Sequence, residues 1–177
     1  FDDGYQDNLL NASPLLTQYG FRAHVFLLAN AQICQNQWDL DGQEKPHTIV
    51  AQQDRQQWLH SAFEIGSHGF NHKKISLMNS EEAYLELLES KNSLEKEFNQ
   101  PINTYAYTYG DSTAKARELA LLAGYSYAVS TDTGGLHLEE DPYFIFRVNM
   151  FPNESWWSLF KKTSTWYRRY YFYKRQK

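Results

Sequence analysis

Segments with helical spacing alternate with short segments of strand character along most of the chain, and this alternation limits the fold more than any other feature. In "DNLLNASPLLTQYG", Leu9, Leu10, Leu15 and Leu16 recur at roughly helical spacing up to Gly20, with Pro14 expected to break or restart the helix. The apolar run "FRAHVFLLA" then reads as a buried strand. Residues 30 to 50 lack a sustained period and read as a surface excursion of the kind that shapes grooves. "QQDRQQWLHSA" reads as a helix with Trp58 and Leu59 inward, and "FEIG" as a strand leading into "SHGFNH". A long helix starts at Asn79, with Glu82 completing a capping box and Tyr84, Leu87, Leu88, Leu94 and Phe98 toward the core; Pro101 marks its end. "INTYAYTY" predicts a strand, "TAKARELALLAGY" a helix stopped by Gly124, and "YSYAVST" another strand. Helix followed by strand, repeated, implies an α/β fold: a parallel sheet or barrel with helices outside and functional residues at the C-terminal strand ends.

With 177 residues, 42% of them hydrophobic, the chain suits one domain with its own core. A formal net charge of -4 gives no general attraction to phosphate backbones, which argues against nucleic-acid binding. Cys34 is the only cysteine, so an internal disulfide framework and a cysteine-rich zinc ribbon are excluded. No run reaches the roughly 18 apolar residues of a membrane-spanning helix. The tail "STWYRRYYFYKRQK" interleaves six aromatics with Arg168, Arg169, Lys174, Arg175 and Lys177. It suits a membrane interface, a grip on an anion or, the favoured reading, a terminal helix whose aromatics pack on the core.

Two stretches carry chemistry. "DDG" taken alone is a tight turn with a carboxylate bonded locally, and the pair His68 and His72 taken alone could be solvent-exposed loop histidines. The spacing of four also allows both imidazoles to project to one side of a helical turn. One carboxylate with two imidazoles forms a three-ligand set that leaves positions open for water, the form of a catalytic zinc site. The other carboxylate is then placed to accept a proton from that water.

"FDDG", "SHGFNH" and "TYAYTYG", in this order, resemble the first three motifs of the polysaccharide deacetylases, the NodB homology domain of carbohydrate esterase family 4. "FEIGSHGFNH" and "LALLAGYSYAVST" extend the resemblance, which runs to about Pro152. It implies a distorted (β/α) barrel that holds one divalent metal, usually Zn2+ with Co2+, Ni2+ or Mn2+ as alternatives, and removes acetyl groups from sugar amides or esters. By resemblance Asp2 matches the general base, Asp3, His68 and His72 the metal ligands, and Tyr109 the residue whose backbone N–H helps hold the oxyanion. The partner implied is an acetylated glycan, with no nucleic acid.

The third motif departs from its commonest form. Ala106 and Thr108 stand where an Arg and a Pro are usual, and the missing Arg would have paired with Asp2. Arg147 in "FIFRVNMF" could supply that charge, although an Arg in a strand is more often a surface ion pair. The family's acid histidine has no clear counterpart, His137 being the nearest candidate, and "STDTGG" occupies the approximate place of the fourth motif. His24, His47 and His60 read as structural or solvent-facing. These departures keep open a non-catalytic carbohydrate-binding domain that retains fold and metal, and more weakly a hydrolase of cyclic amides. The expected organisation is a single deacetylase-type domain over 1–177, a fragment of a longer chain, with an aromatic and basic helix or tail over 153–177. The first strand is expected to be truncated, leaving one barrel position open or unusually filled. Localisation stays open between a bacterial cell envelope and the cytoplasm, and so does the oligomeric state.

Overall fold

The computed structural model describes residues 1–39, 46–131, 141–151 and 153–175. Five parallel strands, β1 (Asp2–Asp3), β2 (Ala23–Leu27), β3 (Phe63–Ser67), β4 (Thr104–Ala106) and β5 (Tyr127–Val129), lie in sequence order. Each crossover steps the same way, so the sheet curls into part of a (β/α) barrel rather than a doubly wound open sheet. A further parallel bridge, Val129 to Ile145, carries the curl one position beyond β5.

The two faces of the curl have different roles. On the convex face Val25, Leu27, Ile65, Tyr105 and Ala128 are buried with Leu87, Leu94 and Phe98 of helix α2 (Ser80–Phe98) and Leu119 and Ala120 of helix α3 (Ala114–Leu122). The opposite parity sends His24, Phe26, Glu64, Thr104 and Tyr127 to the concave face, which encloses a groove of about 970 Å³. Strand β1 is short: its register begins at Phe26, three residues beyond the start of β2, and Phe1 extends the ladder by bonding His24 and Phe26.

Several expected elements form with altered geometry. Of the two outcomes expected at Pro14 the helix takes the restart: a π-helical turn, Asn8–Ala12, runs directly into α1 (Ser13–Gln18), with Pro14 in its first turn. Proline lacks the N–H for an i−4 bond and its ring crowds the preceding turn, which the wider turn accommodates. Gln52–His60 is a 3₁₀ helix, so residues three apart eclipse, and Arg55 and Trp58 both turn inward while Leu59 is exposed. Arg55 bonds both carboxylate oxygens of Glu97 at 2.7 and 3.0 Å and the Leu28 carbonyl at 2.9 Å, tying α2 to the end of β2. The predicted capping box forms: Asn79 accepts from the N–H groups of Glu81 and Glu82, and Glu82 accepts from Asn79 N–H. Helix α2 ends at Phe98, before Pro101, with Asn99 in the left-handed region.

The tail forms two helices, α4 (Trp156–Thr163) and α5 (Thr165–Arg175). Most of its described aromatics do not pack on the core as the favoured reading held. Trp156 is 87% exposed and Trp157 75%, Phe160, Trp166, Tyr170 and Tyr173 are exposed too, and Tyr167 is the buried exception. No helix among the described residues is long and apolar enough to cross a membrane.

Candidate active site

The strand ends bring the predicted residues together. Adjacent residues of a strand point to opposite faces, so Asp2 and Asp3 should diverge. They do not, because Asp3 leaves the strand with φ 69° and Gly4 N–H bonds back to the Asp2 carbonyl at 2.9 Å, closing a three-residue turn of the strained, positive-φ kind. Gly4 must be glycine here: its φ is +77°, and a Cβ would stand 2.6 Å from Leu27 Cδ2. Both carboxylates therefore line one cleft of about 190 Å³ with His68, His72, Trp38, Tyr107, Tyr109, Gly110 and Thr131.

His68 follows β3 and is buried. Its Nδ1 lies 2.8 Å from the Ala106 carbonyl, a contact that requires an N–H there and leaves Nε2 facing the cleft. Burial lowers its pKa against the opposing pull of Asp2, favouring the neutral ring that a metal requires. His72 arrives by a route the sequence reading did not anticipate. The connection from His68 is no helical turn: Gly69 has φ +87° and His72 φ 56°. Glu86 of α2 holds this loop, accepting from Phe70 and Asn71 N–H, both at 2.8 Å. Trp38 stacks on the His72 ring at 3.9 Å, and Tyr109 meets it edge-on at 4.6 Å.

Asp3 Oδ1 stands 3.4 Å from Nε2 of both His68 and His72, and ligand atoms of the three residues lie within 4.8 Å of one another. Two ligands about 2.0–2.2 Å from one ion in tetrahedral directions are about 3.3–3.6 Å apart, so the donors fit a common divalent ion in type and spacing. One oxygen and two imidazole nitrogens suit Zn2+ and several neighbouring transition metals.

Asp2 faces a different partner. Arg147 grips it bidentately, Nη1 to Oδ1 at 2.6 Å and Nη2 to Oδ2 at 2.8 Å, and is itself fixed by Nε donating to the Ser130 carbonyl at 2.9 Å. Arg147 thus closes the curl, joining the chain just past Ile145 to the first strand across 145 residues. Burial raises the Asp2 carboxyl, but His68 and the Arg147 guanidinium outweigh it and hold the group below the usual carboxylate range. With His68 itself pushed toward neutrality, Arg147 is the permanent charge that keeps Asp2 ionised.

Tyr109 lies in a one-turn 3₁₀ segment, Thr108–Gly110, with φ 57°, because the predicted strand over 102–109 ends at Ala106. Its ring is half-exposed at the cleft mouth, with Lys74 Nζ 5.8 Å from its centroid. His137 and the "DTGG" part of "STDTGG" lie outside the described residues. Trp38 and Glu86 were not identified from the sequence; Arg147, weighed there against a surface ion pair, does reach Asp2. Trp38 stands in the stretch read as a surface excursion, and Glu86 looks like one more acid on a solvated helix. A heptad count would have flagged Glu86, since it shares a face with Ala83, Leu87, Ser90 and Leu94.

Comparison with known proteins agrees with this architecture. The polysaccharide deacetylase family profile matches residues 1–128. YxkH of Bacillus subtilis (strain 168), which carries that family's name, is 26% identical over 155 residues, 88% of this chain and 51% of YxkH. The chain thus spans about half the length of that curated relative. Among solved structures, the Streptococcus pyogenes deacetylase PplD in complex with acetate superposes with a TM-score of 0.74 at 20% identity, covering 93% of this chain and 68% of PplD. A de-N-acetylase from Aggregatibacter actinomycetemcomitans gives 0.71 at 14% identity, covering 90% and 71%. At these identities the structural likeness is one of fold. With the profile matched from the paired aspartates through β5, the chain belongs to the polysaccharide deacetylase family.

Proposed function

We propose that this chain hydrolyses acetyl groups from an N- or O-acetylated glycan, using a divalent metal held by Asp3, His68 and His72 and Asp2 as general base. The observation that carries this reading is the division of labour at the strand ends: one carboxylate faces two imidazoles, and its neighbour is held ionised by Arg147 at the rim of the same cleft. When bound, such a metal polarises the acetyl carbonyl and lowers the pKa of a water molecule.

The chain's own groups supply the rest. Ala106 and Glu86 fix the two imidazoles, one through the His68 ring and the other through the loop that carries His72. Asp2 accepts the proton of the attacking water, and Arg147 keeps its carboxylate charged and oriented without reaching the substrate itself. By family resemblance, the backbone N–H of Tyr109 faces the oxygen on which charge develops. Trp38 and Tyr109 flank His72 and wall the cleft in which the acetyl group would sit. Acetate leaves together with a free amine or hydroxyl.

The non-catalytic alternative drew its support from the missing third-motif arginine and from the lack of a clear acid histidine; by reaching Asp2 from elsewhere, Arg147 removes the first of these. Acetate release from acetylated chito-oligosaccharides and a broader panel of acetylated glycans tests the proposal, with metal content measured on the same preparation. Turnover that Asp2→Asn abolishes, with metal content unchanged, is the expected result. Full metal loading without turnover across the panel overturns it.

A further inference from the structure

Helices α4 and α5 display several large aromatic side chains to solvent. On α4, Trp156, Trp157 and Phe160 share one side and are exposed, and the helix buries no residue. On α5, Trp166, Tyr170 and Tyr173 follow the i, i+4, i+7 spacing of a single stripe and are likewise exposed. A stripe at this spacing ordinarily marks the face a helix turns to its core; here, among the described side chains of the two helices, Tyr167 is the buried one. Glu154 is the only acidic residue over 151–177 and is engaged by Lys162 and Ser158 Oγ, so it does not offset the cations around the aromatics.

Charge identifies what such a face fits. Residues 151–177 carry seven Lys and Arg against one acidic residue, whereas residues 1–150 carry ten against twenty. The aromatic surface is therefore also the one strongly basic segment of an acidic chain. Indole and phenol rings interleaved with cations match the interface of an anionic bilayer, where the rings settle at headgroup depth and Lys and Arg meet the lipid charge. A polymeric anion would engage the cations and leave six exposed aromatics unexplained.

We propose that α4 and α5 form an interfacial anchor that lays this chain on an anionic lipid surface. The helices lie on the interface and do not span it. The assignment is independent of the deacetylase reading, since none of its residues lines the Asp3 cleft.

Co-sedimentation of the whole chain with vesicles of phosphatidylcholine alone, or mixed with phosphatidylglycerol, tests this. Binding is expected only with the anionic lipid, to weaken as salt rises, and to shift tryptophan emission to the blue. Lys161→Ala with Arg169→Ala is expected to reduce partitioning by on the order of thirtyfold. The triple variant Trp156→Ala, Trp157→Ala, Trp166→Ala is expected to abolish the shift while circular dichroism stays unchanged. Failure to bind anionic vesicles overturns the proposal, as does binding that the triple variant leaves intact. A lipid-free dimer whose tryptophans are already blue-shifted also overturns it, since the face would then belong to a second copy.

Discussion

The cleft at the strand ends and the helical pair at the other end of the sequence are both rich in aromatic and charged side chains, yet they treat them in opposite ways. In the cleft, functional side chains have assigned neighbours: Asp2 has Arg147, His68 has the Ala106 carbonyl, His72 has Trp38 and Tyr109, and the connecting loop has Glu86. In the helical pair three tryptophans stand more than half exposed. Rigidity at the cleft is what a reaction needs, because donors must hold their geometry before the substrate arrives. Exposure on α4 and α5 is what a docking surface needs, because apolar area left in solvent is what a partner can bury.

The sharpest test of this contrast lies at the base. Asp2→Asn keeps the shape of the side chain and removes its proton affinity, so acetate release should fall by about 10²- to 10⁴-fold with metal content unchanged. A similar loss of metal would show that the two aspartates do not divide their roles. Arg147→Lys keeps the charge but loses the two-pronged grip, and it is expected to recover only part of the turnover that Arg147→Ala removes. Full recovery would mean that charge alone suffices.

The tryptophans offer a stability comparison across the two regions. Trp58 is fully buried in the core, and Trp58→Ala should cost about 3–5 kcal/mol in denaturant unfolding. Glu86→Ala, which releases the Phe70 and Asn71 amides, should weaken metal affinity by about 10- to 100-fold, read by competition with a chelating dye. The smallest effect belongs to Trp156→Ala, expected to change stability by no more than about 0.5 kcal/mol. A larger loss there would mean that α4 packs more tightly than its exposure shows.

The sequence carried what is local. Helical and strand spacing, the Asn79 capping box and the order of the motifs are properties of neighbouring residues, and they specified a parallel α/β curl with its chemistry at the strand ends. Where local rules left the form open, packing chose it: at Pro14 the helix restarts directly from a π-helical turn, and the histidines converge through left-handed residues, not through a helical turn. Neither outcome is visible in spacing alone, because each depends on what the chain packs against.

By itself, then, the sequence determined the fold class and nominated Asp2, Asp3, His68 and His72 by residue type and order, with Tyr109 added by the family resemblance of its motif. Only the tertiary structure decided that Arg147 reaches Asp2, that Trp38 and Glu86 contact the cleft histidine and its loop, and that most of the described terminal aromatics are exposed. The reason is physical: a guanidinium 145 residues from its carboxylate becomes its partner only when the sheet curls, and a side chain is buried or exposed only relative to everything packed around it.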